Sequence, residues 1–308
     1  VKRESLGGNT TPDYTALGAA FMIARGLITA SAATLAAFFG TACAQRENWA
    51  EVNGTRLYYE QSGRGPDVIL IHGFSLDTRM WQPQIAALMQ HARITRYDVR
   101  GFGRSGPATP QHNAVADLLG LMDHLGIQRA HIVGMSMGGA IATDFALTHP
   151  ERTSSLVLIG ATVNGFPHTG FDTRFAPLFE AGARGDLVAA KELWLRDRFV
   201  TPVRDSQSIA STVRRIVTDC ACQQFADARL LPGASAPPAF ERLETIHVPT
   251  LAVVGDAEDP GMLAIADAVQ LRVPGAKKLV IPNAGHLVNL EQPATLNRAL
   301  IAFWQARD

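Results

Sequence analysis

The sequence predicts an α/β fold, a mostly parallel, doubly wound sheet with an inserted helical cap, and three observations carry that expectation. Short apolar runs of strand length alternate with amphipathic helical stretches. An antiparallel hairpin signal stands at the start of the domain. The alternation then fails once, between Gly160 and Val248, in a stretch rich in helix formers. Strands alternating with helices imply right-handed crossovers and a parallel sheet covered on both faces.

The elements follow in chain order. Trp49 to Val52 and Thr55 to Glu60 are extended runs joined by Asn53-Gly54, a pair suited to a type I′ turn because both central residues must take positive φ. Asp67 to Ile71 (DVILI) is a continuous apolar run, too short for a helix and typical of a strand buried on both faces. The same type recurs at Arg93 to Tyr97, Ala130 to Val133, Ser155 to Ile159, Thr250 to Val254 and Lys277 to Ile281. Helical patterns lie at Met80 to Gln90, Ala114 to Leu125, Ser136 to Leu147, Met262 to Leu271 and Thr295 to Ala306. Across the interruption, Ala181 to Phe199 and Ile209 to Phe225 favour helix and Leu231 to Pro238 reads as a loop, so residues 161–247 are expected to form the cap.

The N-terminus reads differently. Gly26 to Phe39 is an uncharged, small and apolar run preceded by Arg25, and Ala42-Cys43-Ala44 offers an A-x-A cleavage signal before Gln45. Fourteen such residues span about 21 Å as a helix, short of the ~30 Å hydrocarbon core, so a cleaved signal peptide over residues 1–44 is preferred to a permanent membrane span. The expected location is periplasmic or secreted. Cys43 admits a lipidated terminus, but Gly40-Thr41-Ala42 lacks the leucine usual three residues before such a cysteine. After cleavage only Cys220 and Cys222 remain, and a disulfide across so tight a loop is expected to be strained.

Composition excludes several classes. At 308 residues, 47% apolar and 18% charged, the chain suits one large domain with an insertion rather than a disordered or fibrous protein. Its 28 basic and 28 acidic residues balance and are dispersed, which leaves no footprint for a nucleic acid. Nothing in the composition sets an oligomeric state.

Chemistry concentrates in three places. Gly134-Met135-Ser136-Met137-Gly138 is G-x-S-x-G between a strand and a helix, where the glycines permit a sharp turn that lifts the serine hydroxyl above the sheet. In such a nucleophile elbow, one oxyanion donor is the N–H of the residue after the serine, Met137. The other comes from the loop after an earlier strand, where His72-Gly73-Phe74 follows DVILI and Phe74 supplies the N–H. A serine hydroxyl needs a base. Of nine histidines, His286 in Pro282-Asn283-Ala284-Gly285-His286 has the best context, on the loop after the last strand and at the same sheet edge as the elbow.

The HGF loop, YDVRGFGRS (Tyr97 to Ser105), GMSMGG, THPER (Thr148 to Arg152), the cap interruption and NAGHLVNLEQP together resemble the α/β-hydrolase superfamily. The resemblance runs from about Val52 to Trp304, and it is similar to bacterial serine esterases, enol-lactonases and carbon–carbon bond hydrolases. Members with an aspartate nucleophile, such as haloalkane dehalogenases and epoxide hydrolases, are disfavoured by Ser136. The family places a triad acid about three residues beyond the glycine that ends the strand after the cap. Here Gly255-Asp256-Ala257-Glu258-Asp259-Pro260 puts Glu258 in that register, with Asp259 the second choice and Asp256 a third.

No H-E-x-x-H or paired-cysteine spacing suggests a metal, and Gly101-Phe102-Gly103-Arg104-Ser105-Gly106 matches a dinucleotide loop only in part, so no cofactor is expected. The expected function is hydrolysis of small carboxylic esters or lactones through an acyl-enzyme on Ser136. A carbon–carbon bond hydrolase of the same fold is the nearest alternative. A non-turnover ligand-binding protein is a second class, because fold does not fix function.

Overall fold

A computed structural model describes residues 46–306 apart from 111, 169, 205, 234 and 235. The expected signal segment, its cleavage site and Cys43 lie outside the described residues. Eight strands form one sheet: β1 Arg46–Val52, β2 Thr55–Ser62, β3 Asp67–Ile71, β4 Arg93–Tyr97, β5 Ala130–Met135, β6 Thr153–Ile159, β7 Thr250–Gly255 and β8 Lys277–Ile281. Their order is β1-β2-β4-β3-β5-β6-β7-β8. The first two pairings are antiparallel and the rest parallel. The opening hairpin turns at Asn53 (φ 46°) and Gly54 (φ 73°), both positive as a type I′ turn requires.

The central strands carry the core because the chain gives them no polar face. Val68 to Ile71, Ile132, Val133, Leu156 to Ile159 and Ala252 to Val254 are all buried. Helices α1 Gln82–Leu88, α2 Ala114–His124 and α3 Met137–Thr148 precede the insertion, while α7 Pro260–Arg272, α8 Val288–Glu291 and α9 Pro293–Gln305 follow it. The helix expected over Met80 to Gln90 divides into a 3-10 turn over Thr78–Trp81 and α1, with Pro83 in the first turn of α1.

Between β6 and β7 the chain is helical without a strand among the described residues: α4 Phe171–Ala183, α5 Leu187–Trp194 and α6 Gln207–Asp219. One continuous helix over Ala181 to Phe199 is not formed. Gly185 (φ 83°) reverses the chain, and the Asp186 side chain caps α5 by accepting from the Ala189 N–H. Helix α4, absent from the sequence expectation, carries Pro177 inside it, a residue that normally argues against helix. Cys220 and Cys222 are joined by a disulfide with Cα atoms 5.1 Å apart, inside the usual span of about 4.4–6.8 Å. Cys222 takes a left-handed backbone (φ 44°), which turns the chain back within this tight loop. No helix among the described residues is long and apolar enough to cross a membrane.

Candidate active site

Ser136 stands between β5 and α3 with φ 53° and ψ −117°, a conformation that costs a non-glycine residue on the order of 1–3 kcal/mol. The surroundings hold it there. Its N–H donates to Ile159 O at 3.0 Å, and its carbonyl accepts from Gly139 N at 2.8 Å and Thr162 N at 3.1 Å. The flanking glycines are needed for close approach. A Cβ on Gly134 would lie 2.1 Å from Gly138 O, and one on Gly138 would lie 2.4 Å from Ile71 O. Packing this tight sets the start of α3, with Met137 as its first residue, against the end of β3. A helix start leaves its first amides without intrahelical acceptors, available to an anion.

The loop after β3 is built around a neutral histidine. His72 Nδ1 donates to Gly73 O at 2.8 Å while Nε2 accepts from Val99 N–H at 2.9 Å, an arrangement only the unprotonated ring satisfies. Burial pushes its pKa below the ordinary value, against smaller opposing effects of the Gly73 carbonyl and Asp77. The Gly73 carbonyl also accepts from Leu76 N at 3.2 Å. That oxygen and the Phe74 N–H belong to one peptide plane, so anchoring one aims the other.

His286 lies on the loop between β8 and α8, 4% exposed, and the structure brings Glu258 to it. Both Glu258 oxygens lie at His286 Nδ1, at 3.0 and 2.9 Å, and Oε1 also accepts from Asp259 N at 2.8 Å. Gly160 (φ 47°) backs this pair: a Cβ there would sit 2.8 Å from Glu258 Oε2 and 3.0 Å from His286 Nδ1. The other two carboxylates do not reach the ring. Asp256 accepts from Ala284 N at 3.2 Å, and the Asn283 and Ala284 amides hold it below the usual carboxylate range, which ties the acid loop to the histidine loop. Asp259 caps α7 through Gly261 N at 2.9 Å and pairs with Arg174 of α4 at 2.9 Å.

Ser136, His286 and Phe74 line one small cavity with Trp194 and Phe199. Among the described residues no hydrogen bond yet joins Ser136 Oγ to the imidazole; such contacts are often long until substrate is bound. Beyond Ser136 opens a cavity of about 290 Å³, walled by Phe74, Met137, Ile141, Phe171, Phe175 and Trp194 among others. Phe199 lies over the His286 ring with centroids 4.3 Å apart. Sequence reasoning missed Gly160 and Arg174, and assigned no specific partner to Trp194 or Phe199. Only Gly160, directly after a strand, carried a local signal. No cluster of three or more His, Cys, Asp or Glu that could hold a metal occurs among the described residues.

The geometry can be set beside known proteins. A family model described as "Alpha/beta hydrolase family" matches residues 68–299. The 3-oxoadipate enol-lactonase 1 of Acinetobacter baylyi is 30% identical over 232 residues, 74% of this chain and 84% of that protein. The carboxylesterase YbfK of Bacillus subtilis is 28% identical over 246 residues, 77% of this chain and 80% of that one. The solved enol-lactonase from Burkholderia xenovorans superposes with a TM-score of 0.74 at 25% identity, covering 84% of this chain and all of its own. These relatives are hydrolases, and the model spans well over half of the sequence. The elbow at Ser136, the sheet order and the helical insertion after β6 thus belong to a member of the alpha/beta hydrolase family.

Proposed function

We propose that the chain is a serine hydrolase that cleaves carboxylic esters or lactones through an acyl-enzyme on Ser136, without a cofactor. The observation carrying this reading is that Glu258 engages His286 Nδ1 while the imidazole and Ser136 line one cavity. Glu258 keeps the proton on Nδ1, which leaves Nε2 as the basic nitrogen and stabilises the imidazolium that follows. As Ser136 Oγ bonds to the substrate carbonyl carbon, its proton passes to Nε2 and the carbonyl electron pair moves to oxygen. The amides of Phe74 and Met137 receive that oxyanion. Collapse of the adduct breaks the carbon–oxygen ester bond, and the leaving alcohol takes the proton from Nε2; in a lactone it stays tethered. Water then repeats the sequence on the acyl-serine and releases the carboxylic acid.

The cavity of about 290 Å³, walled largely by apolar side chains, supports an apolar acyl group of modest size. The partner is a small molecule rather than a nucleic acid, in keeping with a balanced and dispersed charge. The run from Gly26 to Phe39 and the A-x-A signal after it support export to the periplasm or beyond, with a mature terminus near Gln45. A panel of short-chain aryl esters and lactones tests the reaction. Ser136→Ala is expected to abolish covalent labelling by a fluorophosphonate together with nearly all turnover, because nucleophile and base act as a unit. Labelling that survives the substitution overturns the assignment of Ser136. A parent inert on the panel but active on a vinylogous diketone points to carbon–carbon hydrolysis instead.

A further inference from the structure

The residue after the Phe74 donor is held in an unusual state. Ser75 is fully buried and takes φ 61°, a left-handed conformation that a serine keeps only where its surroundings over-determine it. The surroundings come from the insertion. Trp194, the last residue of α5, donates its indole N–H to Ser75 Oγ at 2.7 Å, within a buried contact that spans 119 residues of chain. The same indole packs edge-on against the Phe74 ring with centroids 5.5 Å apart, and Phe225 packs against that ring from 5.1 Å. One side chain of the insertion therefore grips two consecutive residues of the oxyanion loop, one by a hydrogen bond and one by ring contact.

Trp194 also faces the substrate side. It lines the 290 Å³ cavity, where Phe175 lies 5.8 Å away, and it lines the small cavity shared by Ser136 and His286. An acyl group filling the larger cavity would press on the indole, which is joined to Ser75 by the hydrogen bond and to Phe74 by the ring contact. We propose that Trp194 is a positioning residue that couples occupancy of the apolar cavity to the Phe74 oxyanion donor, so that acyl groups long enough to reach the indole raise kcat and do not merely lower KM. The inference rests on the ester-hydrolase reading above. Binding energy from the unreacting part of the substrate would be used in the transition state, where the oxyanion forms, rather than in the ground state. A side chain that only filled space would raise KM when altered and leave kcat alone.

Two conservative substitutions separate these roles. Trp194→Phe keeps an aromatic ring and removes the donor; Ser75→Ala removes the acceptor and keeps the Cβ. The experiment measures kcat and KM of the parent, both variants and the double variant on p-nitrophenyl acetate, butyrate and hexanoate. Circular dichroism and thermal melts check folding, and fluorophosphonate labelling counts reactive serines. The parent kcat is expected to rise with acyl length. Each single variant should lose that rise, with kcat on the hexanoate down about tenfold, a fraction of the 10²–10³ lost when an oxyanion donor is deleted outright. KM should change less than about twofold, and the double variant should be no worse than the singles, as for two ends of one contact. A folded Trp194→Phe protein that keeps the parental kcat and its dependence on acyl length overturns the inference, as does a loss confined to KM. If Trp194→Phe does not fold, Ser75→Ala, which removes a single oxygen, decides alone by the same criteria. A parent that neither labels nor hydrolyses any of the esters overturns the ester-hydrolase reading and this inference with it. A parent that does both while the variants match it overturns the inference only.

Discussion

Replacing Glu258 by glutamine should disable the base without disturbing the fold, for a reason that can be worked from three contacts. Glu258 Oε1 accepts from the Asp259 amide at 2.8 Å, a donor that must keep an oxygen partner because the site is buried. In Glu258→Gln the amide oxygen is therefore pinned at the Oε1 position, and the NH₂ takes the place of Oε2, 2.9 Å from His286 Nδ1. Nδ1 then keeps only the amide oxygen at the Oε1 position, 3.0 Å away and already shared with the Asp259 amide, and loses the negative charge that stabilises the imidazolium. The NH₂ opposite favours the tautomer with its proton on Nε2, which cannot take the proton of Ser136. By analogy with the serine protease triad the loss in kcat is on the order of 10⁴-fold, about 5 kcal/mol at 1.36 kcal/mol per tenfold. Asp259→Asn keeps a helix-capping oxygen and loses the ion pairs with Arg174 and Arg198, partly exposed contacts worth about 1 kcal/mol that do not touch the imidazole, so kcat should stay within about fivefold. Steady-state kinetics on one aryl ester, with melting curves to verify folding, compares the two variants. A collapse in Asp259→Asn with Glu258→Gln within about fivefold of the parent would refute the argument.

Gly160→Ala adds a Cβ 2.8 Å from Glu258 Oε2 and 3.0 Å from His286 Nδ1 at a left-handed position. It should lower kcat/KM by about 10²-fold through misplacement of the pair, while the melting temperature falls only a few degrees; unchanged kinetics would show that the pair tolerates the push. His72 binds its proton less readily folded than unfolded, so the unfolded chain gains protons first as pH falls below about 6.5. Stability should therefore drop from that pH downward until the lowered folded pKa is reached, and level off below it. In His72→Gln this component should vanish, and an identical pH slope in melting temperature would refute it. The exported protein should begin near Gln45 by intact mass, and residues 26–40 still attached would overturn the localisation.

Much of the fold was legible because its signals are local. The hairpin needed only Asn53-Gly54, the buried strands only their unbroken apolar runs, and the elbow only glycines two residues either side of Ser136 in a strand-to-helix context. The insertion was legible as helical but not in its parts. Pro177 hid α4, and Gly185 broke a stretch that composition alone joins. Its contacts with the site were not legible at all. Trp194 meets Ser75 across 119 residues, Arg174 meets Asp259 across 85, and Phe199 covers His286, pairings that no period or spacing encodes. Each is a polar or stacking contact between insertion and site, where hydrophobic pattern says only that the residues are buried.

The choice among three neighbouring carboxylates shows where a stronger local argument lay. Pro260 opens α7, and proline is favoured as the first residue of a helix because its missing N–H would be unpaired there anyway. The residue before a proline is pushed to extended backbone, and Asp259 accordingly has φ −59° and ψ 135°. An extended aspartate directly before a helix is a preferred N-cap, and Asp259 Oδ1 accepts from Gly261 N. Asp-Pro at a helix start thus commits that side chain to the helix, which leaves it unavailable to a histidine on the neighbouring loop. At the other end, Asp256 N donates to Ile281 O and Ala257 N to Ala284 O, so the acid loop runs beside the histidine loop in continuation of the β7–β8 pairing. Asp256, at its beginning, turns to the amides of that loop. Glu258, two residues on, falls level with the imidazole, where its extra methylene lets the carboxylate bridge His286 Nδ1 and the Asp259 amide together.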